Sequence, residues 1–373
     1  MMLRARVAGH ICLDLLPRLR GDLPQPGGLV EAGRLDLRLG GCVANTGLAL
    51  SALGAPVELV AAIGDDFLAD AVTTLLSAVP DVDTALQRVA GRSTSYSIVI
   101  DVPGKDRRFL HHVGANTTFD PALVQITDTE LLHVGYPQLL PTLVDADGAG
   151  LLGLLARARS AGVTTSVDFA TVDPGDARAR DWGGLVRRWA PLIDVLTPSV
   201  DDLVPAFPRT FSAAGDVPGL SIADALAAQL VRHGAAVAVV TAGKAGMCLR
   251  TAGSERLRHG GQVIAALPDK WANRQLWSPA AVVEPVQTTG AGDTATAGLL
   301  FALLRGLGPE EALRLGASAA AMHVSGTAPL PRWDDAAHGS VAPTGRAGTT
   351  AIDGWTADAY GVFYGPLDGK ETV

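Results

Sequence analysis

The chain of 373 residues is short of cysteine, aromatic residues and lysine, and each shortage narrows what it can be. Cys12, Cys42 and Cys248 lie far apart, are odd in number and lack metal-ligand spacing. That argues against a disulfide framework and against a cysteine-built zinc site. Each sits among apolar residues and is expected to pack as a small hydrophobe, so a reducing cytoplasm is the default location. Lysine occurs only at Lys105, Lys244, Lys270 and Lys370, leaving arginine to carry nearly all the positive charge, and no basic run stands out. With a formal net charge of −8, this argues against nucleic-acid and anionic-membrane partners. No apolar run is long enough to span a bilayer. Arg4 and Arg6 resemble the start of a signal peptide. However, VAGHICLDLLP is interrupted by His10 and Asp14 and has no small-residue cleavage site, so it reads as a first strand. No Gly-x-Gly-x-x-Gly follows that strand, which disfavours a dinucleotide-dependent oxidoreductase.

What is present is apolar and periodic. Hydrophobic residues make up 48% and charged residues 18%, the balance of an ordered globular protein that can bury a sizeable core as one large α/β domain or two smaller ones. Short apolar runs predict buried strands over Arg4–Gly9, Val57–Ile63, Leu131–Val134, Thr164–Asp168, Val195–Thr197 and Ala236–Thr241. Helical patterns lie between them at Val43–Leu53, Phe67–Val79, Leu151–Ala161, Ile222–His233 and Thr294–Arg305. This alternation predicts βαβ units around a mainly parallel sheet, whose ligands bind outside the carboxyl ends of the strands. Gly33–Leu39 and Thr94–Val113, the latter split by a turn at Val102–Asp106, break the alternation with period-two character. They are expected to form a small separate sheet acting as a flap, with lid strands within 15–40 and 92–115. A single unit over 1–330 would then be followed by a peripheral tail over 331–373 with no visible chemistry.

Several constellations could carry chemistry. In Val286–Gly306, a Gly-Ala-Gly-Asp turn opens into an apolar helix. Backbone N–H groups at Gly290, Ala291 and Gly292 would point at the positive end of that helix, beside the Asp293 carboxylate. The same residues also suit a tight, capped helix start. Gly40-Gly41 followed by Asn45 allows close backbone approach and a two-way hydrogen-bonding side chain, or simply a loop. Asp14, after the first strand, could accept from paired hydroxyls or be solvated. Asn116 follows a Gly-Ala turn where the flap returns. Thr241, Gly243 and Gly246 could line a polyphosphate or make a hairpin. Asp201 and Asp202 could hold a hydrated Mg²⁺ or serve a helix N-terminus. His111 and His112 have no partner at metal spacing.

The order of these pieces is more specific than any one of them. GGCVANTGLALSALGAPVELVAAIGDD at Gly40–Asp66 and VVEPVQTTGAGDTATAGLLFALLRG at Val282–Gly306 resemble the two signatures of the ribokinase-like (PfkB) carbohydrate kinases, over roughly Met1–Arg332. The resemblance implies a three-layer α/β/α sandwich with a β-sheet lid, and transfer of the γ-phosphoryl group of ATP, with Mg²⁺, to a primary hydroxyl of a sugar, sugar acid or related polyol. Asp293 would then be the general base and Gly290, Ala291 and Gly292 the anion hole. Asp14, Gly40, Gly41, Asn45 and Asn116 would hold the acceptor, while Thr241, Gly243 and Gly246 would meet the nucleotide phosphates and Asp202 the metal. Gln287 stands where the family commonly has an aspartate that helps bind a monovalent cation, which puts potassium activation in doubt. Ser199 replaces the asparagine of the family's metal motif. Phe169-Ala170 follow Asp168 where the family often places an asparagine. The family's lids often pair, so a homodimer through the lid is one arrangement the resemblance allows. A nucleoside kinase of the same fold and a non-catalytic sugar- or nucleotide-binding descendant are the alternatives.

Overall fold

Strand burial alternates between two separate cores, and this alternation defines the layers. The computed structural model describes residues 3–19, 21–102, 108–171, 175, 180–208, 219–327, 330, 332 and 354–370. In β1 (Ala5–Gly9), Ala5 and Val7 enter one core and Ala8 the other. In β4 (Val57–Ile63), Val57, Leu59, Ala61 and Ile63 join the first core, while Val60 and Ala62 join the second. Successive side chains of a strand point to opposite faces, so a sheet buried on both sides reads as a continuous apolar run. The first core receives helices Cys42–Leu53, Phe67–Ser77, Ala291–Leu304 and Pro309–Val324. The second receives Pro141–Ser160, Trp182–Trp189 and Gly219–Arg232. The result is the expected α/β/α sandwich.

Its remaining strands are β5 (Val82–Arg88), β8 (Leu131–Gly135), β9 (Thr164–Asp168), β10 (Val195–Leu196), β11 (Val237–Thr241), β12 (Met247–Thr251), β13 (Gln275–Ser278), β14 (Thr356–Ala357) and β15 (Phe363–Tyr364). They form an 11-stranded sheet in the order β14-β15-β13-β12-β11-β10-β9-β8-β1-β4-β5. Pairing is parallel from β5 through β11 and antiparallel beyond it. A second, four-stranded sheet has the order β3-β2-β6-β7, from β2 (Cys12–Pro17), β3 (Leu35–Gly40), β6 (Tyr96–Ile100) and β7 (Arg108–His112).

Three expectations are refined. VAGHICLDLLP is not one strand: the chain leaves the main sheet after Gly9 and enters the lid at Cys12. Both halves are apolar, so periodicity could not show the break. The helix expected from Leu151 begins at Pro141 and is interrupted by non-helical backbone from Asp145 to Gly148. The lid turn around Pro103–Arg107 lies outside the described residues, whereas Arg108 opens β7.

Residues 354–370, at the far end of the expected tail, lie on the sheet edge. Trp277 and Phe363 pack with ring centroids 4.7 Å apart, and Asp368 pairs with Arg274 at 2.9 Å. Phe363→Ala is therefore expected to cost about 3 kcal/mol in urea unfolding, at the low end for a buried phenylalanine because its short strand is next to the sheet edge. A loss below about 0.5 kcal/mol would show that this segment does not share the core's cooperativity.

Candidate active site

The Ala291–Leu304 helix is buried almost all round, as a helix with no polar face must be. Its one buried carboxylate sits in the first turn. Asp293 is 2% exposed, and three side chains from two other elements meet it. Asn45 Nδ2 donates to Asp293 Oδ2 at 2.9 Å, the Tyr136 hydroxyl donates to the same oxygen at 2.8 Å, and Thr46 Oγ1 donates to Oδ1 at 3.3 Å. Asn45 and Thr46 lie in the first turns of Cys42–Leu53, so two helix N-termini converge on one carboxylate. Tyr136 follows β8 directly, with a left-handed backbone (φ 60°) that turns its ring back over the strand end. Burial raises the Asp293 carboxyl above its ordinary range, and the donors from Asn45, Tyr136 and Thr46 pull it back.

The preceding loop is held from behind. Val286 and Gln287 donate their amides to the Val324 carbonyl at 2.7 and 3.1 Å, and His323 Nε2 lies 2.7 Å from the Thr289 carbonyl. Gly290 has φ 86°, and a Cβ there would approach Asn45 Nδ2 to 3.2 Å. The expected row of three open amides is corrected at one position. The Ala291 N–H is spent on the Thr288 carbonyl at 3.2 Å, closing the turn that starts the helix. Gly292 remains in the first helical turn, where N–H groups have no partner within the helix, and it lines the cleft.

The cleft in front of Asp293 has a volume of about 550 Å³ and is bordered by Asp168, Asp202, Thr241, Thr288 and Gly290 from the strand-end loops and by Phe109 from the lid. Burial pushes the carboxyls of Asp168 and Asp202 up, with Asp293 and Asp202 adding to the rise at Asp168. Asp202 is also committed to a capping box: Ser199 N and Oγ donate to its Oδ2 at 2.9 and 2.6 Å. Among the described residues, no three His, Cys, Asp or Glu side chains are grouped to hold a metal ion by themselves. Of the expected nucleotide residues, Thr241 lines the cleft. Gly243 and Gly246 follow it in the hairpin between β11 and β12, where a Cβ on Gly246 would collide with the Ser278 carbonyl.

The acceptor candidates lie on the lid side. Asp14 is on β2, opposite Arg38 of β3. A Cβ on Gly40 would reach the Asp14 carboxylate at 2.5 Å, and one on Gly41 (φ 83°) would reach His10 Nδ1 at 2.6 Å. The double glycine is thus required by two polar side chains packed against it. Asn116 is fully buried and donates Nδ2 to the Ile11 carbonyl at 2.8 Å. Gln287 Oε1 accepts from Arg38 Nη1 at 2.9 Å, a direct bond between lid and anion loop. Sequence reasoning missed Thr46, Tyr136 and His10. Of these, His10 and Tyr136, each at the carboxyl end of a predicted strand, carried a positional signal, and Thr46 carried none.

The model of the pfkB family carbohydrate kinases matches residues 2–332. A fructokinase of Rhizobium leguminosarum bv. trifolii is 28% identical over 301 residues, covering 79% of this chain and 78% of its own. In fold, the chain resembles the ribokinase of Thermotoga maritima (TM-score 0.65, 20% identity, 87% of this chain and 93% of that one). It also resembles the ribokinase of Arabidopsis thaliana solved with ribose and ATP (TM-score 0.64, 21% identity, 87% and 93%). The chain belongs to the pfkB family of carbohydrate kinases.

Like charges crowd this cleft, and that has a measurable cost. An acid whose folded value is raised destabilises the fold once pH exceeds its unfolded value. Asp168→Asn keeps an oxygen for the Phe169 amide and is expected to raise Tm at pH 7.5 by about 2–4 °C, and by less as pH falls toward 4. An unchanged or lowered Tm would contradict the electrostatic picture.

Proposed function

We propose that this family member is an ATP-dependent kinase that phosphorylates a primary hydroxyl of a sugar, sugar acid or related polyol, with Asp293 as general base. The observation that carries the reading is a buried carboxylate at a helix N-terminus, held by three donors and facing a cleft at the strand ends. Buried carboxyls with raised affinity for protons are suited to accept one at neutral pH. The acceptor lies under the lid between Asp14 and Asn45, with its hydroxyl at Asp293. As the bond to phosphorus forms, Asp293 takes the hydroxyl proton. The Gly290 and Gly292 amides and the helix dipole meet the charge that spreads over the transferring group, where most catalysis of this reaction resides.

Thr241 borders the nucleotide end of the cleft, and Gly243 and Gly246, in the hairpin that follows it, would meet the nucleotide phosphates. Mg²⁺ bound with the nucleotide phosphates would neutralise their charge. Asp168 and Asp202 are the residues that would hold it, as oxygen ligands suited to a hard cation that keeps several waters. The bond between Arg38 and Gln287 leaves a monovalent cation no carboxylate at that position. The Arabidopsis relative solved with ribose and ATP supports the substrate classes by kinship.

ADP release is the direct assay, run over fructose, ribose, 2-keto-3-deoxygluconate, tagatose-type phosphates and nucleosides. Asp293→Asn is expected to lower kcat by about 10²–10⁴ with ATP affinity near wild type. Survival within about threefold would remove Asp293 as the base. Tyr136→Phe withdraws a donor that favours the ionised carboxylate, so the acid limb of kcat/KM should move to higher pH. A limb that stays in place would show that the Tyr136 hydroxyl does not bond the base in the working enzyme. Replacing potassium by a bulky organic cation should change kcat by less than about twofold; a larger fall would mean that a cation site exists despite Gln287.

A further inference from the structure

Strand register places four polar residues directly opposite one another across the lid: Arg38 on β3, Asp14 on β2, Ser97 on β6 and His111 on β7. Residues so paired share one face of a sheet. Ser97 Oγ and His111 Nδ1 are 3.0 Å apart, fixing the imidazole at the end of this row. The His111 ring lies 5.1 Å from that of His10, and His10 lies 6.0 Å from Tyr136, whose hydroxyl holds Asp293. His10 therefore bridges the lid row and the base.

Among the described residues, His10 is also the one side chain with two buried polar atoms and a hydrogen-bond partner for neither. It is 2% exposed, and neither ring nitrogen has a hydrogen-bond partner. Asn116 Oδ1, on the residue whose amide holds the neighbouring Ile11 carbonyl, is likewise buried and unpartnered. Buried polar atoms are nearly always paired, because each one left alone costs free energy. A neutral imidazole offers one donor and one acceptor, and burial together with His111 pushes His10 down to about 3, so it is neutral at physiological pH. A hydroxyl both donates and accepts, and complements such a ring.

Charge is compensated across this row. Arg38 faces the Asp14 carboxylate and bonds Gln287 Oε1, and the half-buried carboxyl of Asp14 and the buried carboxyl of Asp293 stand on either side of the acceptor's place. A carboxylate or phosphate on the acceptor would enter beside two acids and two imidazoles that burial keeps neutral, with the cation of this row, Arg38, already shared between Asp14 and Gln287.

We infer that His10 is an acceptor-binding residue and that the acceptor is an uncharged, hydroxyl-rich ring, a neutral sugar or the sugar of a nucleoside, with sugar acids and sugar phosphates excluded. This rests on the kinase reading above and narrows its substrate class.

The test uses the full chain, ADP release and acceptor-induced thermal shift, with matched pairs that differ in charge: fructose and fructose 6-phosphate, ribose and ribose 5-phosphate, glucose and gluconate. The best neutral acceptor should exceed its anionic counterpart by at least about a hundredfold in kcat/KM, as like charges at close range require. His10→Phe, which keeps a ring but no nitrogen, should raise the acceptor KM about tenfold and leave the KM for ATP within about twofold. His10→Asn, which retains a donor and an acceptor, should recover part of that loss. If His10→Phe does not fold, His10→Asn decides alone, with at least about a threefold rise in acceptor KM expected. Preference for an anionic acceptor, or an acceptor KM unmoved by these substitutions, overturns the inference while leaving the kinase reading intact. Absence of turnover with every acceptor overturns both.

Discussion

A carboxylate buried at the mouth of an apolar helix is the constraint around which this molecule is arranged. Asp293 cannot ionise there without donors, and donors can reach it only if separate elements are brought to one point. Asn45 and Thr46 come from a helix near the start of the chain, and Tyr136 from the end of β8. The three bonds span sequence separations of 248, 247 and 157 residues. A single carboxylate thus ties together the first helix, the middle of the sheet and the C-terminal helix pair. Burial and hydrogen bonding act in opposite directions on its proton affinity. The site sets that affinity by the number of donors it supplies.

The lid follows from the same requirement. Its first two strands run into the Gly40-Gly41 turn, whose missing side chains make room for the Asp14 carboxylate and the His10 ring. That turn opens the helix carrying Asn45 and Thr46, so lid geometry and base geometry are set by the same few residues. Arg38 adds a second tie, reaching from the lid to Gln287 on the loop before Gly290. The lid is thereby tied to both sides of the site, through Asp14 packed on Gly40 and through Arg38 bonded to Gln287. Closure that excludes water is what phosphoryl transfer to an alcohol needs to avoid transfer to water.

The layered fold was legible because strands buried on both faces are unambiguous apolar runs, and the paired signatures at Gly40–Asp66 and Val282–Gly306 were legible because glycines and their polar neighbours are close in sequence. Four features were not. The split between β1 and β2 is hidden because both halves are apolar and only backbone direction changes between them. Tyr136, Thr46 and His10 look ordinary in sequence; each acquires meaning only from a partner far along the chain. Ala291 was expected to offer a bare amide, but a local turn to Thr288 claims it, a competition between capping and ligand binding that composition does not reveal. The short strands β14 and β15 carry too few residues for any period to register.

The central claim is that the buried carboxyl of Asp293 is itself the proton acceptor. Infrared difference titration, wild type against Asp293→Asn, isolates the carbonyl stretch of this one acid while kcat/KM is followed over the same pH range. The account predicts a carboxyl that titrates above the ordinary aspartate value of 3.8 and an acid limb of kcat/KM that coincides with it. A carboxyl that titrates at or below that value, or a limb that falls elsewhere, would contradict it.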